Sequence, residues 1–212
     1  MDDHKCKVAN QVDEQFKFVR VDDLSEPCKT DTDGLCHLDD PGADIDAIAL
    51  VKAGKGTFYA TTVKDYRRSD GATETLALEN GRIPAVNPQK AIGAPDSFLS
   101  YAIEGVSDGK CIYYEDSEHK VHPYVSLGGQ GGYLVVEMSE AIEAGDIIDV
   151  LEVGQCTLQN TADGGSQTAQ AEKVQVQVSV NHHDVWKIIG EGAADSTSKG
   201  VISFEVTADK LK

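Results

Sequence analysis

"KVQVQVSV" (residues 173–180) alternates with period two: Val174, Val176, Val178 and Val180 on one side, Gln175, Gln177 and Ser179 on the other. Successive side chains of a strand point to opposite faces, so this run is a half-buried antiparallel strand with its valines inward. Four more strand-like runs surround it: "YLVVEM" (133–138), "DIIDVLEVG" (146–154), "VWKIIG" (185–190) and "VISFEV" (201–206). Further upstream, "FKFV" (16–19) reads as a short first strand, "IDAIALV" (45–51) as a buried one, and "GTFYATTV" (56–63), rich in β-branched and aromatic residues, as another. "KCIYYED" (110–116) is a weaker candidate, and "ETLALEN" within the ambiguous stretch 64–82 suits a short strand or a turn of helix. Loops rich in Asp, Pro and Gly separate the runs, notably 22–44 and 87–98. No segment carries a helical apolar stripe of three turns. The fold class expected is all-β: a single antiparallel β-sandwich with long loops, spanning 1–212, in which residues 1–41 form an N-terminal strand and an acidic, Cys-containing loop.

The chain has 212 residues and a formal charge of −17. Such acidity repels phosphates, which argues against nucleic acid and anionic lipid surfaces as partners. It suits solubility in general, and also an extracellular protein that holds calcium on carboxylates. No apolar run reaches 18 residues, so no membrane insertion is expected. The start "MDDH" carries no secretory signal and reads as a mature domain cut from something longer. Five cysteines stand at 6, 28, 36, 111 and 156 without a Cys-x-x-Cys pair, so a zinc or iron–sulfur knuckle is not expected. Cys28 and Cys36 flank a short acidic loop that a bridge would hold, and Cys111 and Cys156 stand beside strands where a second bridge fits. The plainer alternative is a set of buried free thiols.

The carboxylates point to chemistry. In "GADIDAIALV" (42–51), Asp44 and Asp46 are two residues apart, so on a regular strand they share a face with Ile48 and Leu50. Ile45, Ala47, Ala49 and Val51 take the other face, so the strand enters the interior at once. Asp96 follows Pro95 in a loop, and Glu152 shares the face of Ile148 and Val150. Carboxylates on apolar ground repel one another and lose solvation. A hard cation answers both problems, because Ca²⁺ takes six to eight oxygens. Asp44, Asp46, Asp96 and Glu152 are therefore candidate calcium ligands. The competing reading is a pair of solvent-facing Asp at a strand start or an Asx turn. "DTDG" (31–34) is only a fragment of an EF-hand loop.

Four glycines crowd the mouth of the strand at Tyr133, in "SLGGQGGY" (126–133). Glycine lets a loop bend sharply and lets backbone approach a ligand, and successive N–H groups can form an anion-holding nest. The ligand-binding candidates are Ser126, Gly128, Gly129, Gln130, Gly131 and Gly132, the alternative being a tight turn into the strand.

"AIGAPDS" (91–97), "VSLGGQGGYLVVEM" (125–138), "GDIIDVLEVG" (145–154), "VQVQVSV" and "VWKIIG", in this order, resemble the calcium-dependent peptide-binding domain found near the tips of large bacterial RTX adhesins, and a wider group of secreted bacterial β-sandwich modules. "GADIDAIALV" fits an early strand of that group. The resemblance covers roughly residues 42–206; the cysteines and the loop 22–41 depart from it. It implies a module of a larger cell-surface chain, monomeric, extracellular and active in cell adhesion. Ca²⁺ would be its cofactor, and its partners would be free C-terminal carboxylates of peptides or proteins on host or neighbouring cells.

Three rivals remain. An enzyme is not expected: the six histidines form no metal-protease pattern, His182–His183 sits at a turn, and there is no G-x-S-x-G elbow. A calcium-dependent lectin would bind vicinal hydroxyls at the same ion and stack sugar on Trp186, Tyr113, Tyr114, Tyr124 or Tyr133, although Trp186 also suits closing one end of the core. A structural spacer module is the third.

Overall fold

Val174, Val176 and Val178 find a core, whereas Val180, past the end of its strand, is only half-buried, and the strands around them form an antiparallel all-β structure. The computed structural model describes residues 15–25, 42–69, 86–95, 124–152, 172–183, 185–193 and 200–212. Nine strands lie within them: β1 (Phe16–Asp23), β2 (Asp44–Lys52), β3 (Gly56–Arg67), β4 (Val125–Ser126), β5 (Tyr133–Ile142), β6 (Ile147–Glu152), β7 (Lys173–Ser179), β8 (Lys187–Ala193) and β9 (Val201–Glu205). A single 3-10 turn, Pro88–Ala91, lies in the loop expected at 87–98; Asn87 caps it by accepting the Gln89 N–H. The candidate strand at 110–116, all five cysteines and Asp96 lie outside the described residues. No helix among the described residues is long and apolar enough to cross a membrane.

The strands form one continuous sheet in the order β8-β7-β1-β5-β3-β2-β6-β9, with β4 added to the start of β2. β3 makes it continuous. Its first residues pair with β2 (Tyr59 opposite Ala49), and from Ala60 onward it pairs with β5, with irregularities between Ala60 and Thr62 and between Val63 and Asp65. Bulges bend and twist a strand, and here they turn one sheet over on itself. The curl brings the outermost strands, β8 and β9, face to face. A Cβ on Gly190 would stand 3.1 Å from the Phe204 ring, and one on Gly192 would stand 2.8 Å from Ile202 Cγ2. Glycine on the inner face of β8 is what allows this approach. The architecture is thus an antiparallel, nearly closed sheet, in keeping with the all-β class expected.

The core fills the inside of the curl. Val19 and Val21 of β1, Leu134, Val136 and Met138 of β5, Ile148 and Val150 of β6, and Val174, Val176 and Val178 of β7 are all fully buried. The alternation of β7 ends one residue early. Ser179, expected outside, is buried, and its Oγ donates to the carbonyls of Asn181 (2.7 Å) and Val185 (3.2 Å) across the turn into β8. Trp186 is half-buried between exposed Val185 and Ile188, and does not plug the core.

The expected facing of β2 also needs correction. Its pairing with β6 slips between Ile45 and Ala47: Ile45 stands opposite Glu152, and Ala47 opposite Leu151. Asp46 is the extra residue, a β-bulge, and parity reverses across it. Ile45 therefore joins Ile48 and Leu50 in the main core, while Ala47 and Ala49 pack with Leu151 in a small second cluster. Asp44, adjacent to Ile45, therefore does not share the face of Ile48 and Leu50 as a regular strand would have it.

Candidate functional site

The glycine loop folds as a sharp turn. Gly128, Gly129 and Gly131 have φ of 76°, 91° and 97°, a region that side chains disfavour. Leu127 donates its N–H to Ala43 O at 2.9 Å and accepts the Ser69 N–H at 3.1 Å; the Ser69 hydroxyl donates to Gly128 O. Gly132 donates to Gly129 O at 3.0 Å and accepts from the Asp23 N–H at 3.0 Å. A Cβ on Gly132 would lie 1.8 Å from Leu127 O, so no side chain fits there.

This loop does hold a carboxylate, and the carboxylate belongs to the chain itself. Asp23, 1% exposed at the end of β1, accepts the Gly129 N–H at 3.0 Å and the Ala43 N–H at 2.7 Å on Oδ2, and the Ser25 N–H at 2.8 Å on Oδ1. Three segments far apart in sequence meet on one side chain. Of the six residues expected to line a ligand site, Ser126, Gly128, Gly129 and Gly132 are buried, while Gln130 and Gly131 reach the surface. The Gly129 amide is engaged by Asp23, and the Gly132 amide by Gly129 O.

The candidate metal ligands lie at the same end of the curled sheet. Asp44 (6% exposed) stands opposite Ser126 of β4, Glu152 (1%) ends β6 opposite Ile45, and Asp46 (1%) is the bulge. The Asp44 N–H points at Glu152 Oε1 across a long 3.5 Å. A fourth acid joins them. Glu172, just before β7, hydrogen-bonds to Glu152 and feels the charges of Asp44 and Asp23. Burial first, and these neighbouring carboxylates second, hold its carboxyl well above the usual carboxylate range. Its Oε2 is sealed from solvent and has no hydrogen-bond partner among the described residues. Asp23, Glu152 and Glu172 each continue the inward stripe of a strand: Val19-Val21-Asp23, Ile148-Val150-Glu152 and Glu172-Val174-Val176. The apolar lining of the sheet thus ends in acids on three strands at one end.

As they stand, no group of three such side chains among the described residues closes around a single ion. The expected ligands are nonetheless carboxylates, the ligand type calcium takes, and Glu172 Oε2 beside them is a buried oxygen without a hydrogen-bond partner among the described residues. Residues that would hold calcium are Asp44, Asp46 and Glu152.

Two features escape a reading of the sequence. Lys52, 4% exposed at the end of β2, reaches Asp146 Oδ2 at 2.8 Å and Glu143 Oε2 at 3.0 Å, clamping the β2–β3 turn to the β5–β6 turn. Burial lowers its pKa, but the bonds to Asp146 and Glu143 outweigh that and leave it raised. Arg68, 6% exposed, follows β3 and adjoins Ser69, which braces the glycine loop. Outside the acidic end, the His182 and His183 rings meet at a tilt with centroids 3.7 Å apart in the β7–β8 turn, and His182 also tilts against Phe18 at 5.4 Å. The Tyr133 ring lies under the Arg20 guanidinium at 4.2 Å, and its hydroxyl donates to Asp65 Oδ2 at 2.9 Å. No protein-family model matches the chain, and neither the curated proteins nor the solved structures include a significant match to it.

Proposed function

We propose that this chain is a calcium-dependent binding module of a cell-surface adhesin. In this reading it works outside the cell as one monomeric unit of a longer chain. It captures the free C-terminal carboxylate of a peptide or protein on a target surface and performs no catalysis. The observation that carries the reading is the junction at Asp23. One buried carboxylate joins the glycine loop, through Gly129, to the end of the sheet where Asp44, Asp46, Glu152 and Glu172 collect. Calcium on Asp44, Asp46 and Glu152, with Asp96 as a further candidate, would supply the positive charge that a chain of charge −17 otherwise lacks for attracting an anion. Buried Gly128, Gly129 and Gly132 then act as framework, and Gln130 and Gly131 are the part of the loop that a ligand reaches.

The test is fluorescence anisotropy with a labelled peptide library, each peptide as the free acid and as the C-terminal amide, in calcium and in EDTA. Binding of free acids only, and only in calcium, is expected. Equal binding of acid and amide would refute carboxylate capture, and retention of sugars instead on a glycan array would favour a lectin.

A further inference from the structure

We propose that Arg67 is the side chain that takes the ligand's terminal carboxylate, together with the exposed backbone amides of Gln130 and Gly131. The inference rests on the carboxylate-capture reading above and adds to it a positive charge that owes nothing to a metal. The register of β3 against β5 brings the three residues together. Arg67 stands opposite Tyr133 at the end of that ladder. Two residues further along each chain, Ser69 meets Gly131: a Cβ on Gly131 would stand 3.9 Å from Ser69 Cβ, and the Ser69 N–H and hydroxyl bind the Leu127 and Gly128 carbonyls. Arg67 is therefore the diagonal neighbour of Gly131, about 7–8 Å away, a span that a long side chain covers. Arg67, Gln130 and Gly131 are all exposed, whereas Arg68, between Arg67 and Ser69, is buried. Alternation thus puts Arg67 and Ser69 on the outward side.

The neighbouring cations are already engaged. Arg20 holds Asp22 through Nε at 2.9 Å and Nη2 at 2.6 Å and lies over the Tyr133 ring, and Lys64 pairs with Glu137 at 2.8 Å. Arg67 has no carboxylate partner among the described residues. Asp65, the acid two residues before it, gives one oxygen to the Tyr66 N–H and the other to the Tyr133 hydroxyl. The amides of the loop divide in the same way. The Gly129 N–H is held by Asp23 and the Gly132 N–H by Gly129 O, while the Gln130 and Gly131 N–H groups have no acceptor among the described residues. Asp23 is thus a positioning residue, whose three backbone bonds fix the end of β1 against residue 43 and the glycine loop from beneath. What remains at the surface is a guanidinium beside two consecutive open N–H groups. A carboxylate matches the guanidinium fork with both oxygens, and successive N–H groups favour an anion.

The experiment uses the full chain in calcium, with the labelled peptide library as the probe, each peptide as free acid and as amide. Wild type, Arg67→Gln, Arg67→Lys and the control Lys55→Gln are compared by anisotropy; Lys55 is an exposed cation just before the opposite end of β3. Arg67→Gln should weaken free-acid binding at least about tenfold and leave any residual binding of the amides unchanged. Arg67→Lys should recover part of the loss, because it returns the charge without the fork. Lys55→Gln should follow wild type, although it changes the net charge equally. The four melting temperatures should agree, since both side chains are exposed. In nitrogen–proton correlation spectra, the Gln130 and Gly131 amide signals should move with free acid and stay put with amide. If wild type binds free acids selectively and Arg67→Gln binds them equally well, Arg67 is not in the site and carboxylate capture stands without it. An equal loss in Arg67→Gln and Lys55→Gln would mean general attraction and would also overturn the assignment. If wild type binds no free acid, both fall.

Discussion

Removing the Asp23 carboxylate should cost far more than its place at a strand end suggests. In Asp23→Ala, two buried donors, Ala43 N–H and Gly129 N–H, lose their acceptor at 2.7 and 3.0 Å, and a third, Ser25 N–H, loses one at 2.8 Å in a partly solvated setting. A buried donor left without an acceptor costs about 1–3 kcal/mol. Two such losses amount to about 4 kcal/mol, and the Ser25 amide adds little because water reaches it. Relief of repulsion with Glu172 works in the opposite direction, so the net loss should be about 3 kcal/mol. That is a factor of roughly 100 or more in the folding equilibrium, at 1.4 kcal/mol per tenfold. Asp23→Asn separates the two effects. Its oxygen can serve Ala43 and Gly129, but its NH2 then faces the Ser25 donor, so it should lose about 1–2 kcal/mol. The assay is urea unfolding in chelator, read by far-ultraviolet circular dichroism, with the slope checked for constancy. A loss below about 1 kcal/mol in Asp23→Ala, or a gain in Asp23→Asn, would mean that repulsion within the acidic end outweighs the three hydrogen bonds, and the positioning role would be wrong.

Gly132→Ala should destabilise by about 3 kcal/mol or more, because its Cβ would stand 1.8 Å from the Leu127 carbonyl oxygen, a backbone atom that cannot swing aside; a urea midpoint equal to that of wild type would show that the loop relaxes freely. Lys52 should impose an alkaline limit. Its pKa is raised in the fold above the ordinary 10.5, so its contribution is complete below the unfolded value and is lost as pH climbs through the folded one. The melting temperature of wild type should therefore fall over that window. Lys52→Met should start about 2 kcal/mol lower, a loss moderated by the solvated position of Glu143, and should lack this step; parallel curves for the two proteins would remove Lys52 from the account.

The strand pattern was the most legible part of the sequence, because inward and outward positions alternate wherever one face is buried. "KVQVQVS" lies on a strand that alternates as far as Val178, while "YLVVEM" and "IIDVLE" lie on strands with runs of consecutive buried residues, Leu134–Val136 and Val150–Glu152. The same rule identified Glu152, and one further step along two stripes reaches Asp23 after Val19 and Val21, and Glu172 before Val174. Those acids stand at or beyond a strand's end, where a pattern search stops. The bulge at Asp46 was not legible, because a bulge is a property of the pairing with β6 and not of "DIDAIAL" alone. Nor was the partner of the Gly129 amide, since Asp23 lies 106 residues away. The four glycines signalled a tight turn and an anion. The close approach that they allow brings in the chain's own carboxylate, beneath the surface that Gln130 and Gly131 present. Closure of the sheet depends on the bends in β3 and on Gly190 and Gly192 facing Phe204 and Ile202, contacts between strands remote in the sheet order.

Titration calorimetry of calcium into the chelator-stripped full chain tests the central claim most directly. The account predicts saturable calcium binding that magnesium does not reproduce, with a melting temperature that rises with calcium concentration. No heat of binding, together with an unchanged melting curve from chelator to millimolar calcium, would contradict it.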